Sequence, residues 1–152
     1  MGCRPGEAIA LRWAMVDQAS SVVTFAGTKT GRIRKVPVTA EVTELLRSMT
    51  RGPDESVVFT TAQGRPINKS NFRQKVWTPL LELAGVPYRP PGITRHTHIS
   101  HALAQGKTAV EIGAIVGNSP RVIYQHYAGL INQQSLAVVI PADIPVLPPG
   151  LI

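Results

Sequence analysis

Strand signals in this chain are confined to short runs, and that limits its possible folds more than any other feature. Residues 15–17, 21–25 and 32–38 each read as a short strand, with Thr28-Lys29-Thr30-Gly31 as the turn of the last hairpin. A fourth short run at residues 57–60 precedes a loop containing Gly64. Helical signals account for most of the rest. Pro5 suits a first helical turn, and Ala8, Ile9, Leu11 and Arg12 continue it toward Trp13. Thr39 can cap a helix carrying Val42, Leu45, Leu46 and Met49, which Gly52-Pro53 would end. Ser70 can cap another, with Phe72, Val76, Leu80, Leu81 and Leu83 as its apolar stripe, Pro79 as a kink and Gly85 as its stop.

The stiff loop at residues 87–92 holds Pro87, Pro90 and Pro91, and a helix over residues 95–105 follows it, stopped by Gly106. Thr108 and Glu111 have capping-box spacing, ahead of a helix with Val110, Ile112, Ile115 and Val116 that runs to Gly117. Ser119-Pro120 opens the last helix, which contains Tyr124 and Tyr127. A small antiparallel sheet followed mostly by helices makes an α+β domain in which helices dominate. At 152 residues and 43% hydrophobic content, the chain forms one domain with enough apolar material for a core.

Charge narrows the partner. Sixteen Lys and Arg against nine Asp and Glu give +7, which points to a polyanion, nucleic acid ahead of an anionic membrane. The excess is uneven, at +4 over residues 1–35, zero over 36–70 and +3 over 71–152. Lys29, Arg32, Arg34 and Lys35 crowd onto the hairpin, a density suited to phosphates. The single Cys3 can form no internal disulfide, and Arg4, Glu7 and Arg12 interrupt any apolar stretch resembling a signal peptide. Gly6 stands where a myristoylation motif needs Ser or Thr. The uncharged stretch 122–142 carries Gln125, His126, Asn132, Gln133 and Gln134 and is too polar to span a membrane. These features describe a cytoplasmic, reduced protein. His98 and His101 share a helix face, but with one distant cysteine and no carboxylate neighbour they make no zinc site, so neither metal nor cofactor is expected.

Four local patterns occur in one order. Gly2-Cys3-Arg4-Pro5-Gly6-Glu7 with Ala10-Leu11-Arg12-Trp13 resembles the first arginine box of the tyrosine recombinases, the phage-integrase family. Thr28-Lys29-Thr30 with Val36-Pro37-Val38 resembles that family's lysine hairpin, and Thr94-Arg95-His96-Thr97 its second arginine box. Val116-Gly117-Asn118-Ser119, with Tyr127 nine residues after Asn118, resembles its nucleophile segment. The resemblance covers the chain from Gly2 to about Leu130 and implies a catalytic domain over 1–130, followed by a Pro-rich apolar tail over 131–152.

The resemblance implies site-specific recombination of double-stranded DNA through a covalent 3′-phosphotyrosine. Tyr127 would be the nucleophile, with Tyr124 one turn away as its rival. Arg4 and Arg95 would hold the non-bridging oxygens, and Lys29 would protonate the departing 5′ oxygen. Arg32, Arg34 and Lys35 would contact the DNA backbone. Asn118 stands where the family has His or Trp and can still donate to a phosphate oxygen, whereas Gly92 replaces a histidine and offers no side chain. His96 matches a position expected to be structural. Family members work as tetramers on two duplexes, so the parent protein would be a homo-oligomer whose tail docks in cis or on a neighbour, Val138, Val139 and Ile140 adding a strand. Arg4 lies almost at the start of the sequence, which suggests a cut domain or a gene remnant. The alternative function is a decayed DNA-binding module of the same fold, and a supercoil-relaxing enzyme of the same chemistry ranks third.

Overall fold

The computed structural model describes residues 1–26 and 33–131; Lys29, Arg32 and the tail, with its expected docked strand, lie outside the described residues. Helix α1 (Pro5–Ile9) leads through a 3-10 turn (Trp13–Met15) into strands β1 (Val16–Asp17), β2 (Val22–Ala26) and β3 (Ile33–Pro37). These form one antiparallel sheet in sequence order. Val16 pairs with Val23 and Val23 with Val36, so one buried valine row crosses all three strands. Because side chains alternate between faces, Phe25 and its partner Arg34 lie on that same inner face.

Helix α2 (Ala40–Ser48) covers the sheet with Leu46, and Leu11, Trp13 and Val58 complete this first core cluster. Thr39 takes the N-cap position without making a capping hydrogen bond. The helix stops at Ser48, before Gly52-Pro53, where Met49 turns to extended backbone. Residues 57–60 do not form the expected strand. The chain beside them is already leaving α1 for the 3-10 turn, so pairing is limited to isolated bridges of Arg12 with Val57 and Thr60 with Pro66.

A helical arm follows, built of α3 (Lys69–Phe72), a π turn (Arg73–Trp77) and α4 (Thr78–Leu83). Asn68, not Ser70, caps it: Asn68 Oδ1 accepts from the backbone N–H groups of Ser70 at 2.9 Å and Asn71 at 3.0 Å. The π turn is how the helix accommodates Pro79, which has no N–H to donate and whose ring crowds the carbonyl four residues back. Thr78 reaches back five residues, its N–H and its hydroxyl both donating to Arg73 O. No residue from 59 to 94 is buried.

The second core cluster is entirely helical. Helices α5 (Ile93–Ala104), α6 (Ala109–Val116) and α7 (Pro120–Ile131) fold back on one another through short connections. Thr108 and Glu111 form the expected capping box, Glu111 N donating to Thr108 Oγ1 at 3.2 Å and Thr108 N to Glu111 Oε2 at 2.8 Å. Gly117 ends α6 at φ 77°, a conformation that favours glycine, and Ser119 Oγ accepts from Val122 N at the start of α7. Ile99 and Leu103, Ile112 and Val116, and Ile123 and Tyr127 supply the buried pairs, each at the four-residue spacing of a helix face.

Candidate active site

The two core clusters meet along a seam of arginines. Arg4 is the N-cap of α1, and Glu7 folds back to accept its backbone N–H at 2.7 Å and its guanidinium at 3.3 Å. Glu7 also takes both terminal nitrogens of Arg34, at 2.8 and 3.1 Å. Partial burial works to raise the Glu7 carboxyl, but hydrogen bonds from Arg34 and the Arg4 N–H, with the charges of both arginines, hold it below the usual carboxylate range.

Arg34 was expected to face DNA, and its guanidinium points inward. The side chain is 10% exposed, its carbon Cζ lies 4.6 Å from the Phe25 ring centre, and Nε donates to Ile115 O at 2.9 Å. It ties the sheet to α1 and to the end of α6. Strand alternation carried this signal, since Arg34 and Val36 share a face. Lys35, on the other face of β3, is exposed.

Arg95 sits on the buried stripe of α5, four residues before Ile99, and is 8% exposed. One terminal nitrogen donates to Gly2 O and Val116 O, each at 2.6 Å, and the other to Asn118 Oδ1 at 2.9 Å. Burial, and then the charge of Arg4, lowers its pKa from the usual arginine value. Gly2 makes the approach possible: its φ is 61°, and a Cβ there would fall 2.4 Å from the His98 ring and 2.9 Å from Val116. Arg4 also donates to Asn118 Oδ1, at 3.2 Å. Two guanidinium groups therefore converge on one neutral amide oxygen, and among the described residues Arg95 has no carboxylate partner. Paired cations held together in this way leave uncompensated positive charge for an anion. The Asn118 amide nitrogen makes no hydrogen bond among the described residues and remains a donor.

Tyr127, on α7, is 8% exposed, whereas Tyr124 is 50% exposed. The Tyr127 hydroxyl lies 2.6 Å from Nδ1 of His96, the residue after Arg95. Burial raises the Tyr127 pKa, and the charge of Arg95 works in the opposite direction. Gly92 is the first residue before α5, with open space where a side chain would project. The structure thus brings Arg4, Arg95 and Asn118 together, sets Tyr127 on the neighbouring helix, and adds Glu7 and His96, which sequence reasoning did not select. Glu7 left a trace in its three-residue spacing from Arg4; His96 left none beyond its place beside Arg95. Among the described residues no three His, Cys, Asp or Glu side chains cluster as metal ligands, and no helix is long and apolar enough to cross a membrane.

A mostly helical domain with a three-stranded antiparallel sheet and this order of arginine, arginine and tyrosine has the fold of the tyrosine recombinase catalytic domains. The chain belongs to the phage integrase family, which residues 1–132 match. It is 29% identical over 147 residues to tyrosine recombinase XerC of Xanthomonas campestris pv. campestris, covering 95% of this chain and 45% of that protein. The chain thus spans about half the length of the curated relatives it matches. Among solved structures, the catalytic domain of bacteriophage HP1 integrase matches with a TM-score of 0.61 at 23% identity, over 87% of this chain and 70% of the other. The Tn1549 transposon integrase, solved with circular intermediate DNA, matches with a TM-score of 0.69 at 17% identity, over 83% of this chain and 51% of the other.

Proposed function

We propose that this chain is the strand-cleaving part of a site-specific DNA recombinase. The observation that carries the reading is the convergence of Arg4 and Arg95 on Asn118 Oδ1, with Tyr127 anchored beside the same turn of α5. A DNA phosphodiester supplies an anion to Arg95, which has no carboxylate partner among the described residues, and to Arg4, which shares Glu7 with Arg34. Its non-bridging oxygens gain charge during attack, and two planar forks, one at the start of α1 and one on α5, stabilise that charge as it develops. The free amide of Asn118 adds a further donor. Tyr127 attacks phosphorus to form a 3′-phosphotyrosine, which keeps the bond energy available for rejoining. Lys29 is the proposed acid for the 5′ oxygen, and Arg32 and Lys35 the proposed backbone contacts. Arg34, engaged with Glu7, Phe25 and Ile115, acts as a strut for Arg4 rather than as a DNA contact. Double-stranded DNA is the partner, the cytoplasm the compartment, and the parent protein a homo-oligomer on DNA. The DNA complex of the transposon integrase supports this assignment of partner.

Duplexes from a random-sequence pool, nicked so that the cleaved end diffuses away, trap the covalent adduct. The wild-type chain yields it, Tyr127→Phe abolishes it, and Tyr124→Phe retains it. An adduct that survives Tyr127→Phe overturns the assignment of the nucleophile, and a wild-type chain that binds the pool without forming an adduct is the decayed module.

A further inference from the structure

We propose that His96 is the general base that takes the proton from Tyr127, an inference that rests on the reading of Tyr127 as the nucleophile. The contact is short and specific: the hydroxyl oxygen is 2.6 Å from Nδ1, with ring centres 5.8 Å apart and ring planes 36° from parallel. A phenol attacking phosphorus must lose its proton as the new bond forms, and it needs an acceptor within hydrogen-bond reach. Burial opposes spontaneous ionisation of Tyr127, so the acceptor must act during attack instead of waiting for free phenolate.

The surroundings single out His96 for this task. Position 92 offers no side chain, and His98, two residues after His96, is packed against Gly2 on another face of α5. Successive residues of a helix project about 100° apart, so Arg95 reaches inward to the seam while His96 turns to α7. The phosphate-holding cation and the proton acceptor are thereby fixed to adjacent positions of one rigid element. His96 is itself exposed, so a proton received at Nδ1 has a route to solvent from the other side of the ring.

The step balances. A lone pair on Tyr127 Oη forms the O–P bond, the O–H electrons stay on that oxygen, and the proton passes to His96 Nδ1 to give an imidazolium. The P–O5′ bond breaks, its electrons leave with the 5′ oxygen, and that oxygen takes a proton from Lys29 or water. Rejoining reverses each transfer, with the His96 imidazolium returning its proton to the departing tyrosine oxygen.

The role requires neutral His96 to carry its proton on Nε2, leaving Nδ1 bare to accept from the phenol. Long-range nitrogen-15 correlation spectra of the free chain, assigned with His96→Asn, read the tautomer directly. A bare Nδ1 near neutral pH is the expected result; a proton resident on Nδ1 overturns the proposal, because the imidazole would then donate to the phenol and could not accept from it. His96→Asn can place its Oδ1 near the Nδ1 position, keeping an acceptor for the tyrosine hydroxyl without a group able to take the proton. Its single-turnover adduct formation should fall by ~10² to 10⁴, with thermal stability near wild type. Adduct formation at the wild-type rate overturns the proposal. The tautomer is read without DNA, so its failure is distinct from failure of the nucleophile reading, which Tyr127→Phe tests alone.

Discussion

The arm over residues 69–83 and the helices after residue 93 carry similar apolar stripes and meet different fates. In the arm, Phe72, Val76, Leu80 and Leu81 are only half-buried and Leu83 is 78% exposed. In α5 to α7, Ile99, Ile112, Val116 and Ile123 are all buried. The difference lies in what each stripe faces. The arm is one nearly continuous rod that packs at its first turn against α1, whereas α5, α6 and α7 are joined by short connections containing Gly106 and Gly117, which turn each helix back onto the previous one. A stripe records that a helix has an apolar side; the connections decide whether that side meets another. Three members of the candidate site, Arg95, Asn118 and Tyr127, belong to the region where the stripes meet, and there Arg95 and Tyr127 occupy stripe positions themselves.

The largest effect that sharpens this contrast comes from the centre of the helical cluster. Ile112→Ala should cost about 2–5 kcal/mol in denaturant unfolding, because a cavity forms where α5 and α7 close on α6. A cost below about 1 kcal/mol would mean that the cluster is not the chain's stabilising core. Next comes the seam. The folded-state pKa of Glu7 is depressed, so its contribution to stability is complete above the ordinary carboxylate value of 4.5 and is lost as pH falls through the depressed value. Glu7→Gln should therefore lower stability near neutral pH and flatten the acid limb of the stability profile below about pH 4.5, as followed by thermal melts. An unchanged acid limb would remove Glu7 from the link between the two clusters. The smallest effect belongs to the arm: Leu83→Ala should change stability by less than about 0.5 kcal/mol, and a larger loss would show that the arm is covered.

Much of this was legible from local chemistry. The strands at 22–26 and 33–37, the capping box at Thr108 and Glu111, the glycine stop at 117 and the Ser119-Pro120 start of α7 all depend on neighbours in sequence, and all appear. What escaped depends on distance or on competition. Asn68 and Ser70 are both good caps, and the choice between them turned on which side chain reached the free N–H groups. The strand expected over residues 57–60 needed a partner strand that the 3-10 turn removes, and only the isolated bridge of Val57 with Arg12 forms. Arg34 was read by its charged neighbours although its alternation with Val36 placed it inside, and the pairing of His96 with Tyr127 joins residues 31 apart on different helices. Arg4, Arg95, Asn118 and Tyr127 were singled out by resemblance, and the geometry added how these side chains are held: the first three by main-chain carbonyls, by Glu7 and by each other, and Tyr127 by His96.

The most direct measurement is the position of the covalent bond to DNA. Arg121 is the last lysine or arginine of the sequence, so trypsin releases Tyr124 and Tyr127 together in the peptide that begins at Val122. When the trapped adduct is digested with nuclease and trypsin, fragmentation of that peptide should place the residual nucleotide on Tyr127. A nucleotide on Tyr124, on Tyr88, or on any hydroxyl outside this peptide would contradict the account.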